Sequence, residues 1–192
     1  MASTRRSAGK PISQRVGVAD WVRAGYAILA EEGIKALKID RLCERLGVTK
    51  GSFYWHFDGM PAYRSALISA WADLRDEGRL DFDRMGDLAP RDRLAAMMSS
   101  LVSPEHWTLE RAMREWARSD SSVAESVRES DRRVVAAVRQ AFVDYGFEAE
   151  EADLRATATF AVGIGFLHLS GPTPDPRHAA RGDRFLDLML TR

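Results

Sequence analysis

Residues 39–57, IDRLCERLGVTKGSFYWHF, constrain what this chain can fold into more than any other stretch. Leu42, Cys43 and Leu46 recur at helical spacing, which predicts an amphipathic helix from Ile39 to Leu46. Gly47 follows, and glycine readily takes the positive φ that ends a helix. Thr49 stands where a hydroxyl can accept from an orphan backbone N–H, opening a second helix that runs to His56. Two short helices across a tight turn make a helix-turn-helix, the arrangement that lays its second helix in the DNA major groove. The pattern points to DNA as a partner.

Charge agrees with that partner once it is divided along the chain. The formal net charge is zero, yet residues 1–64 carry eleven Lys or Arg against six Asp or Glu, while residues 65–192 carry seventeen against twenty-two. The basic excess is gathered where the helix-turn-helix lies. With 192 residues, 45% of them hydrophobic, the chain can bury a substantial core. Strand-like alternation and Asn-Gly hairpin signals are missing, and helical spacing recurs in nearly every segment, so an all-α fold is expected. The single cysteine, Cys43, excludes an internal disulfide framework and reads as a small buried residue. The first residues lack the apolar stretch of a secretory signal. The longest apolar run, 156–169, is broken by His168 and falls short of the ~18 residues of a membrane span. A soluble, cytoplasmic protein without a membrane partner is expected.

Residues 1–14 read as a flexible basic arm, with Arg5, Arg6 and Lys10 placed either to track phosphates or to lie in solvent. Residues 15–60 read as the helix-turn-helix domain. Its first helix has Val18, Trp21, Val22, Gly25, Tyr26 and Leu29 on one stripe and Gly33 as its stop. Residues 61–192 read as a helical body. Pro61 sits in the first turn of a linking helix with Tyr63, Leu67, Ala70, Trp71 and Leu74 on one face. Later helices open at Pro90 and at Pro104, and Ser122 and Glu125 have capping-box spacing. Gly146 closes the long helix that follows, and Gly171 to Pro176 form a turn-rich break before a last short helix. From Ala156 to Leu169 the penultimate helix is apolar nearly all round, with small residues at Ala158, Ala161, Gly163 and Gly165. Such a helix needs cover on more than one side, and a chain of this size has few helices left to give it. A second copy of the protein, across a two-fold axis, is the expected cover.

The stretch LCERLGVTKGSFYWHF, residues 42–57, is similar to the helix-turn-helix signature of the TetR family of bacterial transcriptional regulators. The likeness extends over about residues 15–70. It implies three N-terminal helices, a linking helix and a C-terminal helical bundle that dimerises through its last two long helices. By position it assigns DNA contacts to Thr49, Lys50, Ser52, Tyr54, Trp55 and His56. Two positions depart from the family: Met60 stands where a phosphate-holding lysine is usual, and Lys38 where Thr or Ser is usual. Lys38 can itself reach a phosphate and joins the expected contact set. Lys50 and Ser52, near the start of the reading helix, are the best placed for base edges. Tyr54 and His56 suit phosphates. Trp55 suits either a thymine methyl or local packing, while Phe53 and Phe57, four apart, should pack inward. The dimer face is assigned to Ala158, Ala161, Gly165 and Leu169 with Phe185 and Met189 of the last helix.

The resemblance also implies a small effector bound in the C-terminal domain, residues 61–192. Met97, Leu101, Trp107, Met113, Trp116, Phe160 and Ile164 are the candidate wall, with plain helical core as the alternative reading of the same stripe, and His106, Glu110, Glu115 and His168 are the available polar handles. A mostly apolar ligand suits that set. Neither a catalytic residue nor a cofactor or metal site is read. His106 and Glu110 share a helix face, but no third ligand is evident, so a surface ion pair is expected of them. Glu31 and Glu32 are adjacent and point apart. The reading is a ligand-responsive, operator-binding homodimer acting as a repressor. The alternative is a helical dimeric protein-interaction module without specific DNA binding.

Overall fold

The computed structural model describes residues 16–101, 104–169 and 177–191, with the side chains of 78–85, 101, 104–106 and 178–180 outside the description. The arm at 1–14 and the break at 171–176 lie outside the described residues. Among those described there are nine α-helices and no strand: α1 (Val18–Glu32), α2 (Ile39–Leu46), α3 (Lys50–His56), α4 (Met60–Arg84), α5 (Pro90–Leu101), α6 (Pro104–Ala117), α7 (Ser121–Tyr145), α8 (Ala149–Leu169) and α9 (Arg177–Leu190). The all-α architecture is the one expected, with a three-helix N-terminal unit, α4 as the link and a helical body.

The helix ends follow local chemistry, with two corrections. Gly47 takes φ 66°, ψ 33° between α2 and α3, the left-handed conformation that its lack of Cβ makes cheap. Thr49 occupies the cap of α3 by its backbone alone, because its side chain makes no capping hydrogen bond. The expected capping box at Ser122 and Glu125 is displaced. Asp120 caps α7 instead, its carboxylate accepting from the backbone N–H of Ser122 and Val123. Those bonds hold the carboxyl below its ordinary range, led by one from the Ser122 hydroxyl. Glu125 is left to pair with Arg128 and Arg132 on the exposed side of the helix.

The core of the N-terminal unit is aromatic. Trp21 meets Phe53 edge-on at 5.4 Å between ring centroids, and Tyr63 lies 5.5 Å from Phe53 and 5.0 Å from Phe57. Two phenols tie α1 to α4: Tyr63 donates to the Trp21 carbonyl and Tyr26 to the Leu67 carbonyl, each at 2.7 Å. Burial pushes both phenols well above their ordinary pKa, so they remain donors. This crossing explains Gly25. A Cβ built there would fall on the Tyr63 hydroxyl and within 3.0 Å of Leu67 Cδ2, so the two helices approach closely because that residue has no side chain. The face expected along α4 is buried at Tyr63, Leu67 and Trp71 and ends there, since Leu74 is exposed.

The same core runs past residue 60. Met113 and Trp116 of α6 and Val123 and Val127 of α7 are buried in one cluster with Trp21, Ile28, Phe53 and Trp71. The helical body has its own second core around Leu94, Met97, Val138, Phe142, Ala156 and Leu186. Gly25→Ala is therefore expected to destabilise the fold by about 1–3 kcal/mol through overpacking. Thermal unfolding followed by circular dichroism should show a lowered midpoint, and Tyr63→Phe combined with Gly25→Ala should cost less than the sum of the two changes.

Candidate nucleic-acid interface

Helix α3 is bolted down by one side and presents the other. Phe53 and Phe57 are buried in the aromatic core, as their spacing predicts, and this fixes the helix's rotation about its axis. Tyr54 is then 60% exposed and Trp55 80% exposed, an arrangement that burial alone does not favour for large aromatic rings. Trp55 leans edge-on against His56 at 4.6 Å, which limits its freedom without covering it. Thr49 and Lys50 are exposed at the start of the helix, and Ser52 is half-buried. Lys38 is exposed at the cap of α2.

His56 is engaged within the unit. Its ring lies half-buried, with Nε2 donating to the Val16 carbonyl at 2.9 Å, which ties the end of α3 to the chain entering α1. Lys50 carries a second feature that sequence reading missed: its Nζ sits 2.5 Å from Asp40 Oδ1 in the first turn of α2. The pair brings the N-terminal ends of the two helices together. No short-range pattern announces it, because the residues are ten apart and the turn at Gly47 decides their approach.

Two arginines of α2 are engaged behind this face. Arg41 makes a forked contact with Glu32, at 2.8 and 3.0 Å to one oxygen, and also bonds Glu44. Arg45 takes both oxygens of Glu31 at 2.7 Å. These pairs hold α2 against α1, and the bonded arginines keep the Glu31 carboxyl below its ordinary range. Adjacent Glu31 and Glu32 thus serve two different arginines.

The expected effector wall is divided by the fold. Met97 and Phe160 share the second core. Trp107 is fully buried on α6, and Ile164 is half-buried on α8. Met113 and Trp116 belong instead to the core that joins the two units. The side chain of Leu101 lies outside the described residues, as does that of His106. An open depression at the start of α8 is lined by Glu148, Glu150, Glu151, Asp153, Leu154 and Thr157, none of them an expected wall residue.

Glu110 corrects the expectation of a surface ion pair. It is 5% exposed, ion-paired with Arg114 at 2.6 Å and within 3.9 Å of Arg75 from α4. Arg114 also takes both oxygens of Asp131, and Arg75 donates to the Ser130 hydroxyl at 3.1 Å. Two arginines and two carboxylates from α4, α6 and α7 thus share one largely buried network. The Glu110 to Arg114 spacing of four was a sequence signal for part of it.

The assigned dimer residues lie at the margin of the single chain. Ala161 is exposed, Leu169 is 85% exposed, and Ala158, Gly165, Phe185 and Met189 are half-buried. Helix α8 buries Ala152, Ala156, Thr159 and Leu167 on its own chain, and a Cβ at Gly165 would meet nothing within 4 Å. The Met189 carbonyl accepts from Arg155, so α9 is also held to α8. Among the described residues no helix is long and apolar enough to cross a membrane, and no group of three or more His, Cys, Asp or Glu gathers at metal-binding range.

A three-helix unit whose third helix presents exposed side chains outward, joined by a linking helix to an α-helical body, is the architecture of helix-turn-helix proteins. Within that class, residues 22–62 match the family model described as bacterial regulatory proteins, tetR family. The fold is shared with solved structures over nearly the whole chain. A transcriptional regulator from Rhodococcus sp. Rha1 has a TM-score of 0.73 at 20% identity, covering 91% of this chain and 94% of its own. A TetR transcriptional regulator from Legionella pneumophila has 0.73 at 14%, covering 95% and 100%. A TetR transcription regulator from Haloarcula marismortui has 0.67 at 14%, covering 90% and 95%. No curated protein matches the sequence. Residues 22–62 are thus similar to the TetR-family helix-turn-helix, and the chain as a whole shares the fold of TetR-family transcriptional regulators.

Removing Glu110 would leave two buried guanidiniums short of a counter-charge. Glu110→Ala is expected to cost about 3 kcal/mol of stability. Chemical denaturation should show this as a lowered midpoint, with Glu110→Gln, which keeps the shape and one acceptor, costing less.

Proposed function

We propose that this chain is a transcriptional repressor that binds a near-palindromic DNA operator as a homodimer and is released by a small, mostly apolar molecule in its C-terminal domain. The observation that carries the reading is α3 itself: Phe53 and Phe57 lock it, and Lys50, Tyr54 and Trp55 stand outward on it. Lys50 supplies N–H donors for guanine O6 and N7, and Tyr54 and Lys38 supply phosphate donors that fix register. Thr49 and Ser52 add hydroxyls at the end of the helix that enters the groove first. Trp55 presents an apolar face suited to a thymine methyl.

Residues 15–60 then form the reading head and residues 61–192 the sensing and pairing body. The body's dimer face comprises Ala158, Ala161, Gly165 and Leu169, with Phe185 and Met189 at its edge. Open space at Gly165 and the exposed apolar side of α8 support a second backbone approaching there. Met97, Trp107, Phe160 and Ile164 remain the effector wall. Helix α6 carries Trp107 at one end and Met113 and Trp116 at the other, so a ligand pressing on Trp107 works on the core that seats the reading head. Release requires that the ligand prefer one of the two arrangements, since equal affinity shifts nothing.

Selection of fragments from a random duplex library by the purified protein, followed by titration against salt, tests the reading. Enrichment of a two-fold symmetric sequence bound by a dimer is the expected result. Failure to bind any duplex, even at low salt, would overturn it in favour of a protein-interaction module. On the enriched duplex, Lys50→Ala is expected to cost about 1–3 kcal/mol and to relax preference at one position in each half-site. Ala161→Arg is expected to turn the dimer into monomers in sedimentation, with the loss of high-affinity operator binding.

A further inference from the structure

We infer that Asp40 is a specificity-determining residue that acts through Lys50, withholding this cation from the phosphate backbone while leaving it free to read a base. The inference rests on the DNA-reading role of Lys50 given above. The Asp40–Lys50 pair differs from its neighbours in kind. Arg41 and Arg45 join α2 to α1 and brace the scaffold. Asp40 and Lys50 join two helix starts at the surface, with side chains 75% and 60% exposed. An exposed pair of this sort adds little to stability, so bracing is a poor account of it.

An ammonium has three N–H donors, and the contact with Asp40 occupies one of them. The remaining donors can address a guanine edge without breaking the pair. A phosphate makes a different demand. Phosphates flank every sequence, and neutralising one of them with Lys50 means drawing the cation off Asp40. The bare carboxylate would then face a polyanion. The pair therefore subtracts more from binding to arbitrary DNA than from binding to a site whose base edge meets Lys50 where Asp40 holds it. The Asp40 carboxylate also keeps the Lys50 ammonium above its ordinary pKa, so the cation stays charged while it is paired.

The test is a double-mutant cycle on two probes: the duplex enriched by the wild-type protein and a scrambled duplex of equal length and composition. Asp40→Asn in an otherwise wild-type chain is expected to tighten binding to the scrambled duplex about threefold, the scale of one exposed ion pair. Its salt slope there should steepen by about one, for one more phosphate neutralised. Binding to the enriched duplex should change less or weaken, so the ratio between the two falls. In a Lys50→Gln background the same substitution should leave the ratio unchanged. Asp40→Ser, which keeps a polar group in the first turn of α2, should reproduce the result if the cause is charge, with circular dichroism reporting that each variant is folded.

An equal gain on both duplexes, or a gain that persists with Lys50→Gln, would overturn the inference and make Asp40 a general repulsive charge. If the wild-type protein binds neither duplex in a salt-dependent manner, the DNA reading itself fails, and this inference falls with it. The two failures are separated by the behaviour of the wild-type chain alone.

Discussion

Tyr63 reaches from the first turn of α4 to the Trp21 carbonyl, and the N-terminal unit is arranged around that bond. Its ring completes the aromatic cluster with Phe53 and Phe57, while its hydroxyl satisfies a carbonyl on α1 and occupies the space left by Gly25. Because Phe53 and Phe57 are four apart on α3, burying both against this ring sets how the helix is rotated. The exposure of Tyr54 and Trp55 is the other side of the same constraint. The outward face of α3 is therefore a consequence of packing on the opposite face.

The boundary between reading head and body is a boundary in sequence more than in packing. Trp21 and Met113 share one core, so α6 lies against α1 without an intervening polar layer. Beside that apolar seam runs the network of Arg75, Glu110, Arg114 and Asp131. Apolar contacts tolerate sliding, since they are non-directional, whereas a bidentate guanidinium does not. A seam built from both kinds has few ways to shift, and shifts that keep the charges paired are favoured. This gives the linking helix a small set of orientations relative to the body.

Charge in the reading head follows a similar economy. Its basic excess is modest, and much of it is engaged internally: Arg23 with Asp20, Arg41 with Glu32 and Glu44, Arg45 with Glu31 and Lys50 with Asp40. A surface so compensated attracts any polyanion less strongly than its count of cations suggests.

The nine helices of the described residues and the turn at Gly47 are legible in the chain alone, because each rests on periodicity or on the φ of one residue. The bounds of α2 were read as Ile39 to Leu46, and the inward pair Phe53 and Phe57 followed from spacing. Errors arose wherever several local solutions competed. Asp120 outbid Ser122 and Glu125 for the start of α7, since all three could cap and the longer helix wins more backbone bonds. His56, Glu110, Met113 and Trp116 stand out in the sequence, but their partners do not. Helical spacing says which residues share a face, not what lies opposite. His56 found the Val16 carbonyl, Glu110 found Arg75, and Met113 and Trp116 found the reading head, each through contacts spanning tens of residues. The sequence by itself determined the helices, the turn and the outward residues of α3, because neighbours in the chain suffice for these. Only the tertiary structure decided which charges pair and which apolar residues seat the reading head, because those depend on distant segments arriving together.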